Sequence, residues 1–316
     1  MGTFEGGWWG WGASVGIACT YVGSLYVWPN AGGKKPARRD DPGVIKRRFV
    51  SLGGTCLVAW VPLWRALRAS PLLAMASAMD GGVGPPTPTF TFLLRALGVE
   101  LWPPAGAVTS TVATLGLTAA LFLGPLTCLA LDGELIPRFA RAARGVRDSI
   151  HTLRNVVVAP ITEEFAFRSC VTPTLLYSGA ASLRTAVLVC PLFFGVAHAH
   201  HFVELRRSMG STRRALLAVA LQFTYTTAFG WYAAFALMRT GHVAGPIASH
   251  AFCNVMGLPD VARAWAHPRR GLVLAAYLAG VAVFACGLCP ATDPAWHPSS
   301  SWNALAAVSR ELHARG

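Results

Sequence analysis

Apolar residues in this chain run in long blocks separated by short polar segments. A helix that crosses a bilayer needs roughly 20 mostly apolar residues. Blocks near that length fall at 11–29, 49–67, 105–131, 155–178, 184–203, 215–238, 242–258 and 271–289, and they predict about eight membrane-spanning helices. Between residues 65 and 104 the pattern is broken. "GGVGPPTPT" interrupts regular structure, and "FTFLLRALGVELW" reads as an interfacial or re-entrant helix. The segment after Pro290 is polar and contains Pro and Ser, so about 290–316 is expected to be a poorly ordered tail. The expected fold class is therefore all-α: a polytopic integral membrane protein forming one domain over residues 1–316.

Composition supports the membrane reading. Of 316 residues, 53% are hydrophobic and 13% charged, against about 25% charged in a soluble domain; the mean hydropathy is +0.46. A net charge of +13 raises nucleic acid as a partner. The basic residues, however, sit in short segments between apolar blocks, which favours a topological role and no nucleic-acid partner. Lys34, Lys35, Arg38, Arg39, Lys46, Arg47 and Arg48 follow the first block; Arg138, Arg141, Arg144 and Arg147 the third; Arg206, Arg207, Arg213 and Arg214 the fifth; Arg263, Arg269 and Arg270 the seventh. Alternate connections are thus basic, as the positive-inside rule requires if all four are cytosolic, and with eight spans both termini lie on the far side. Most of the eight cysteines lie within apolar blocks and read as small buried hydrophobes; Cys286 and Cys289 form a CxxC with no second pair. No basic n-region or cleavage site precedes the first apolar stretch, so no cleavable signal is expected.

The exceptional segment is "APITEEFAFRSC", residues 159–170, which places Glu163, Glu164 and Arg168 inside an apolar helix. A charge at a helix centre costs about 2.5–3.5 kcal/mol on insertion scales, and such groups face a cavity or one another. Glu164 and Arg168 are spaced i, i+4, so they share a helix face and can pair. Glu163 points about 100° away, and its own i+4 position is Phe167, which offers no countercharge. With this topology Glu163 lies about 12 Å into the membrane from Asn155, at 1.5 Å per residue. "FFGVAHAHHF" brings His198 close to the same depth, with His200 and His201 as polar interfacial residues, and "SHAFCNVMG" brings His250 and Asn254, again i, i+4. Three helices thus carry polar groups in the cytosolic half of the membrane.

A carboxylate and a histidine can hold and deprotonate a water. A second histidine and an asparagine can stabilise the oxyanion formed when that water attacks a carbonyl. The set suffices for peptide hydrolysis. It could also ligate zinc, although no HExxH is present, or form the relay of a proton-coupled transporter. Against transport, the Glu-bearing helix has no internal repeat.

These residues resemble the type II CAAX prenyl endopeptidases, the eukaryotic branch of the CAAX protease and bacteriocin-processing family of membrane glutamate proteases. The family's EExxxR, FxxxH and HxxxN motifs are matched in order by Glu163–Arg168, Phe194–His198 and His250–Asn254. The likeness extends over about residues 39–260, including "RDDPGVIKRRF". It implies a catalytic core at about 150–260, with Glu163 as general base, His198 helping to hold the water, and His250 and Asn254 as the oxyanion hole. Glu164 and Arg168 support them through orientation and charge balance. It implies no cofactor, a cytosol-facing cavity in the endoplasmic reticulum membrane, and removal of the aaX tripeptide from prenylated CAAX proteins such as small GTPases. The prenyl chain, at about 0.8 kcal/mol per buried CH₂, would stay in membrane lipid and use a lateral opening. Gly179, Gly195, Gly230 and Gly257, with Pro173, Pro191 and Pro259, would allow the packing and kinks of such a cavity.

Overall fold

The computed structural model describes residues 8–28, 40–70, 88–100, 102 and 104–298. Lys34, Lys35, Arg38, Arg39, the "GGVGPPTPT" segment up to residue 87 and the tail beyond residue 298 lie outside them. Among the described residues the chain is helical, with no strand. α1 is Trp8–Ser24; α2, Pro42–Ala59, runs through Trp60 into α3, Val61–Arg68; α4 is Phe90–Leu97. α5 and α6 are Ala105–Leu121 and Leu123–Leu131, and α7 is Leu135–Asp148. α8 covers residues 150–177, α9 Leu183–Ala197, α10 Phe202–Met209, α11 Thr212–Thr240, α12 Ala244–Met256, α13 Val261–Ala266 and α14 Arg270–Ala291.

Among the described residues each expected block is largely helical, but the blocks are not eight uniform spans. Two continuous helices, 42–68 and 270–291, are long and apolar enough to cross a membrane, or up to four if two bent pairs each count as one. The 105–131 block bends by 68° at Phe122. Pro125 cannot donate to a carbonyl and its ring crowds that of Leu121, four residues back, so the helix breaks there. The 184–203 block bends by 43° between α9 and α10, at the 3₁₀ turn His198–His201. α12 has 13 residues, about 20 Å of rise, which is short for a span. In the 65–104 stretch, "FTFLLRALG" forms the amphipathic α4, with Leu93 and Leu97 buried and Phe90 exposed, stopped by Gly98 at φ 67°.

α8 is the central helix. Its Phe167, Cys170, Val171 and Leu175 form one apolar core with Tyr21 of α1, Leu63 and Leu67 of α3, Leu93 of α4 and Phe194 of α9. On the other side, α5, α11 and α12 meet through small and hydroxyl residues: Ser110 Oγ lies 2.8 Å from Thr240 Oγ1 and donates to His242 O, and Gly245 packs directly against Ser110 and Thr114. This is how membrane helices bring their backbones close. Gly195 packs on Thr227 in the same manner, and a Cβ at Gly230 would lie 2.7 Å from Pro191 and 2.9 Å from Arg168 Nη2. Gly257 and Gly179 serve differently, following helix ends at positive φ.

α8 itself is not a plain α-helix. Arg154–Val158 and Glu164–Val171 are π turns, and each ends two residues before a proline, Pro160 and Pro173. Ala159 N–H donates to Arg154 O in the i→i+5 pattern. The next donor in that pattern would be Pro160, which has no N–H. Asn155 O therefore loses its helical partner. Wide turns of this kind are rare and concentrate at functional sites.

Candidate active site

The second π turn carries the charges. Glu164 and Arg168 are both fully buried, with Arg168 Nε 3.2 Å from Glu164 Oε2, the ion pair that the i, i+4 spacing predicts. The angle there falls short of a hydrogen bond, and neither Nη of Arg168 has a hydrogen-bond partner. The guanidinium instead stacks between two rings, 4.1 Å from the centroid of Phe194 and 5.7 Å from that of Phe229, which supplies the attraction of cation to ring face.

Glu164 has a second partner that spacing along one helix does not reveal. His250 Nδ1 of α12 lies 2.8 Å from its Oε1. A carboxylate accepts, so Nδ1 donates, and the ring is fixed with Nε2 turned toward Glu163, 3.8 Å from its Oε2. One carboxylate thus neutralises Arg168 and orients His250, which lies between Glu164 and Glu163.

Glu163 has 20% of its side chain exposed, and it opens onto a cavity of about 120 Å³ shared with His198. Tyr21, Phe167 and Phe194 form an aromatic wall of that cavity. His198 Nδ1 lies 2.8 Å from Phe194 O. A carbonyl only accepts, so Nδ1 carries the hydrogen and Nε2 is left as the acceptor of the neutral ring. Asn254 is placed differently from His250. Its Nδ2 donates to Asn155 O at 2.7 Å, the carbonyl that Pro160 leaves without a helical partner, and the residue is exposed. The structure thus gathers Glu163, Glu164, Arg168, His198 and His250 from α8, the turn after α9, and α12, with Asn254 one turn further along α12 and tied back to the start of α8. His201 also lines the cavity.

Sequence comparison bears directly on this arrangement. Residues 146–256, which carry all three motifs, match the type II CAAX prenyl endopeptidase Rce1-like family. The human CAAX prenyl protease 2 is 42% identical over 298 residues, 89% of this chain and 80% of the human protein. The chain belongs to the type II CAAX prenyl endopeptidase family. The rat CAAX prenyl protease 2 is 37% identical over 88% of this chain and 78% of its own length. The budding-yeast CAAX prenyl protease 2 is 27% identical over 79% and 82%. No solved structure matches the chain significantly.

Within this protease, α12 is anchored from the surface as well. Arg138 of α7 donates to Val255 O and Met256 O, at 3.1 and 2.9 Å, capping the carbonyls at the C-terminal end of the helix that carries His250. A separate group, Cys128, Asp132 and His267, brings ligand-type atoms within 4.8 Å of one another. It serves as a clasp. Asp132 is taken by Arg263 Nη2 and lies 3.2 Å from His267 Nε2, while His267 Nδ1 accepts from Arg269 N–H. The proton therefore sits on Nε2, where a metal would need the lone pair. Arg263 and His267 together hold the Asp132 carboxyl below its ordinary range.

Proposed function

We propose that this protease removes the aaX tripeptide from prenylated CAAX proteins, small GTPases among them, by a water that Glu163 and His198 activate. The observation that carries the proposal is that Glu163 of α8 and His198, just after α9, line one cavity, and that His198 commits Nδ1 to Phe194 O, which leaves Nε2 as its acceptor. Two acceptors can hold one water by its hydrogens. Glu163 takes a proton as the oxygen attacks the carbonyl of the prenylated cysteine, and returns it to the leaving amine. His250, fixed through Nδ1 by Glu164, presents Nε2 for the oxyanion. Donation from Nε2 as well as from Nδ1 calls for the doubly protonated ring, which has both Glu164 and Glu163 beside it. Asn254 lies one turn along the same face and adds a second donor once it releases Asn155 O.

The prenyl chain remains in membrane lipid and the peptide reaches the cavity from the cytosolic side. The basic connections support that orientation, and the enzyme then works at the endoplasmic reticulum membrane, in a bundle of about eight spans. The test is release of the terminal tripeptide from a farnesylated CAAX peptide. Membranes carry wild type or Glu163→Ala at equal abundance, with and without a strong chelator. Chelator-resistant release that the substitution abolishes is the expected result. Loss on chelation with recovery on adding zinc overturns the mechanism in favour of a metal-bound water. A folded wild type that releases nothing overturns the substrate class.

A further inference from the structure

The cavity that holds Glu163 and His198 is also lined by two arginines, Arg48 of α2 and Arg154 of α8. Neither belongs to the three motifs, and the hydrolytic chemistry uses neither. Arg154 already presents its guanidinium to a carboxylate, with Nη1 2.9 Å from Oδ1 of the exposed Asp40. The lining also includes aliphatic and aromatic side chains: Val22 and Leu25 at the end of α1, Phe49 and Leu52 of α2. The cavity therefore has three chemical zones: an acid and a histidine, an apolar wall, and a pair of cations.

Resting on the proposed function, we infer that Arg48 and Arg154 bind the free α-carboxylate of the substrate's last residue, and that the Val22, Leu25, Phe49 and Leu52 wall receives the two aliphatic residues before it. The spacing fits. Three extended residues cover about 10 Å, and Arg154 lies nine residues before Glu163 on one helix, about 13 Å of rise, with an arginine side chain to close the gap. The wide turn Arg154–Val158 slows the rotation per residue, so Asn155, Ala159 and Glu163 keep to one side of α8 and face one cavity. The polarity fits as well. The carboxylate end lies toward the start of α8, on the side of the basic connections, and the lipidated cysteine lies at the Glu163 end. An enzyme that must cut three residues from a chain end, and nowhere else, gains that register by fixing the terminal charge. A fork of N–H donors suits a carboxylate better than a point charge does.

The experiment compares a farnesylated CAAX peptide bearing a free C-terminal carboxylate with the same peptide as its C-terminal amide. The quantity read is the ratio of their kcat/KM values. In wild type the acid is expected to exceed the amide by about 10- to 100-fold, chiefly through KM, the range of hydrogen bonds to a charged group. In the double variant Arg48→Gln, Arg154→Gln the ratio should fall to about one, and in Arg48→Lys, Arg154→Lys it should be partly kept. A merely structural role for the arginines lowers both rates and leaves the ratio where it was, which overturns the inference. A wild-type ratio of about one overturns it too, while leaving the proposed function standing. If wild type cleaves neither peptide, the proposed function itself falls, and the carboxylate site with it.

Discussion

α8 and α14 are both helices of the length a bilayer asks for, and they solve opposite problems. α14 carries no charge between Gly271 and Ala291, and its side chains face outward, Leu278 74% exposed and Val281 and Val283 each about half exposed. α8 carries two carboxylates and two arginines, Arg154 near its start and Arg168 in its middle, and from Glu164 to Tyr177 nearly every residue is buried; Phe165 alone is half-buried. The apolar helix meets its surroundings and the charged helix is hidden. In water the arrangement would be reversed. A bilayer rewards it, because lipid is the apolar phase and the protein interior is where a charge finds partners. Charge in α8 is tolerated through specific neighbours, and its absence from α14 reflects a lack of them.

The contrast can be broken at several points. The largest effect is expected at Glu163, the one carboxylate on α8 that opens onto the cavity: Glu163→Gln should lower the rate of tripeptide release by about 10²- to 10⁴-fold, the contribution of a positioned acid or base, as read from initial rates. Next is the buried pair. Arg168→Met alone leaves the buried Glu164 carboxylate without its guanidinium partner and should destabilise the fold by about 3–5 kcal/mol. Glu164→Leu combined with Arg168→Met should recover much of that loss while remaining inactive, since a buried pair replaced as a whole is often neutral; thermal unfolding in detergent compares the two. On α14, Leu278→Lys should cost about 2.5–3.5 kcal/mol of membrane insertion, measured with a glycosylation reporter, whereas Leu278→Ala should insert normally. The smallest effect concerns the clasp. The folded Asp132 carboxyl titrates below its unfolded value of about 3.9, so its contribution is complete above that value and is lost as pH falls through the folded one. Unfolding midpoints from pH 6 to pH 3 should therefore decline less steeply in Asp132→Asn than in wild type.

Much of α8 was legible in the sequence because its signals are local. Acids within an apolar block mark the site, and i, i+4 spacing pairs Glu164 with Arg168 within one helix. The bond from His250 to Glu164 joins residues 86 apart, and no periodicity encodes it. The same holds for Asn254, whose partner is a backbone carbonyl. A signal for it did exist: Pro160 removes an N–H, and the carbonyl it orphans must find a donor elsewhere. The bend at Phe122 had its mark in Pro125, but a hydropathy block reads through a proline that is itself compatible with an apolar run. Of the arginines of the cavity, Arg48 reads as a loop charge and Arg154 carries no signal of its own until the fold brings α2 beside the start of α8.

That bend also sets a thickness. Straightened, residues 105–131 would reach about 40 Å, well beyond the hydrocarbon core of roughly 30 Å, and the excess would force the bilayer to swell or the helix to tilt. With α5 along the bilayer normal, its 17 residues cover about 26 Å. The nine of α6, turned by 68°, add only about 5 Å of height. Held that way, the folded element stays within an ordinary hydrocarbon thickness, and the bend turns α6 away from the axis of α5 toward α7 and its arginines.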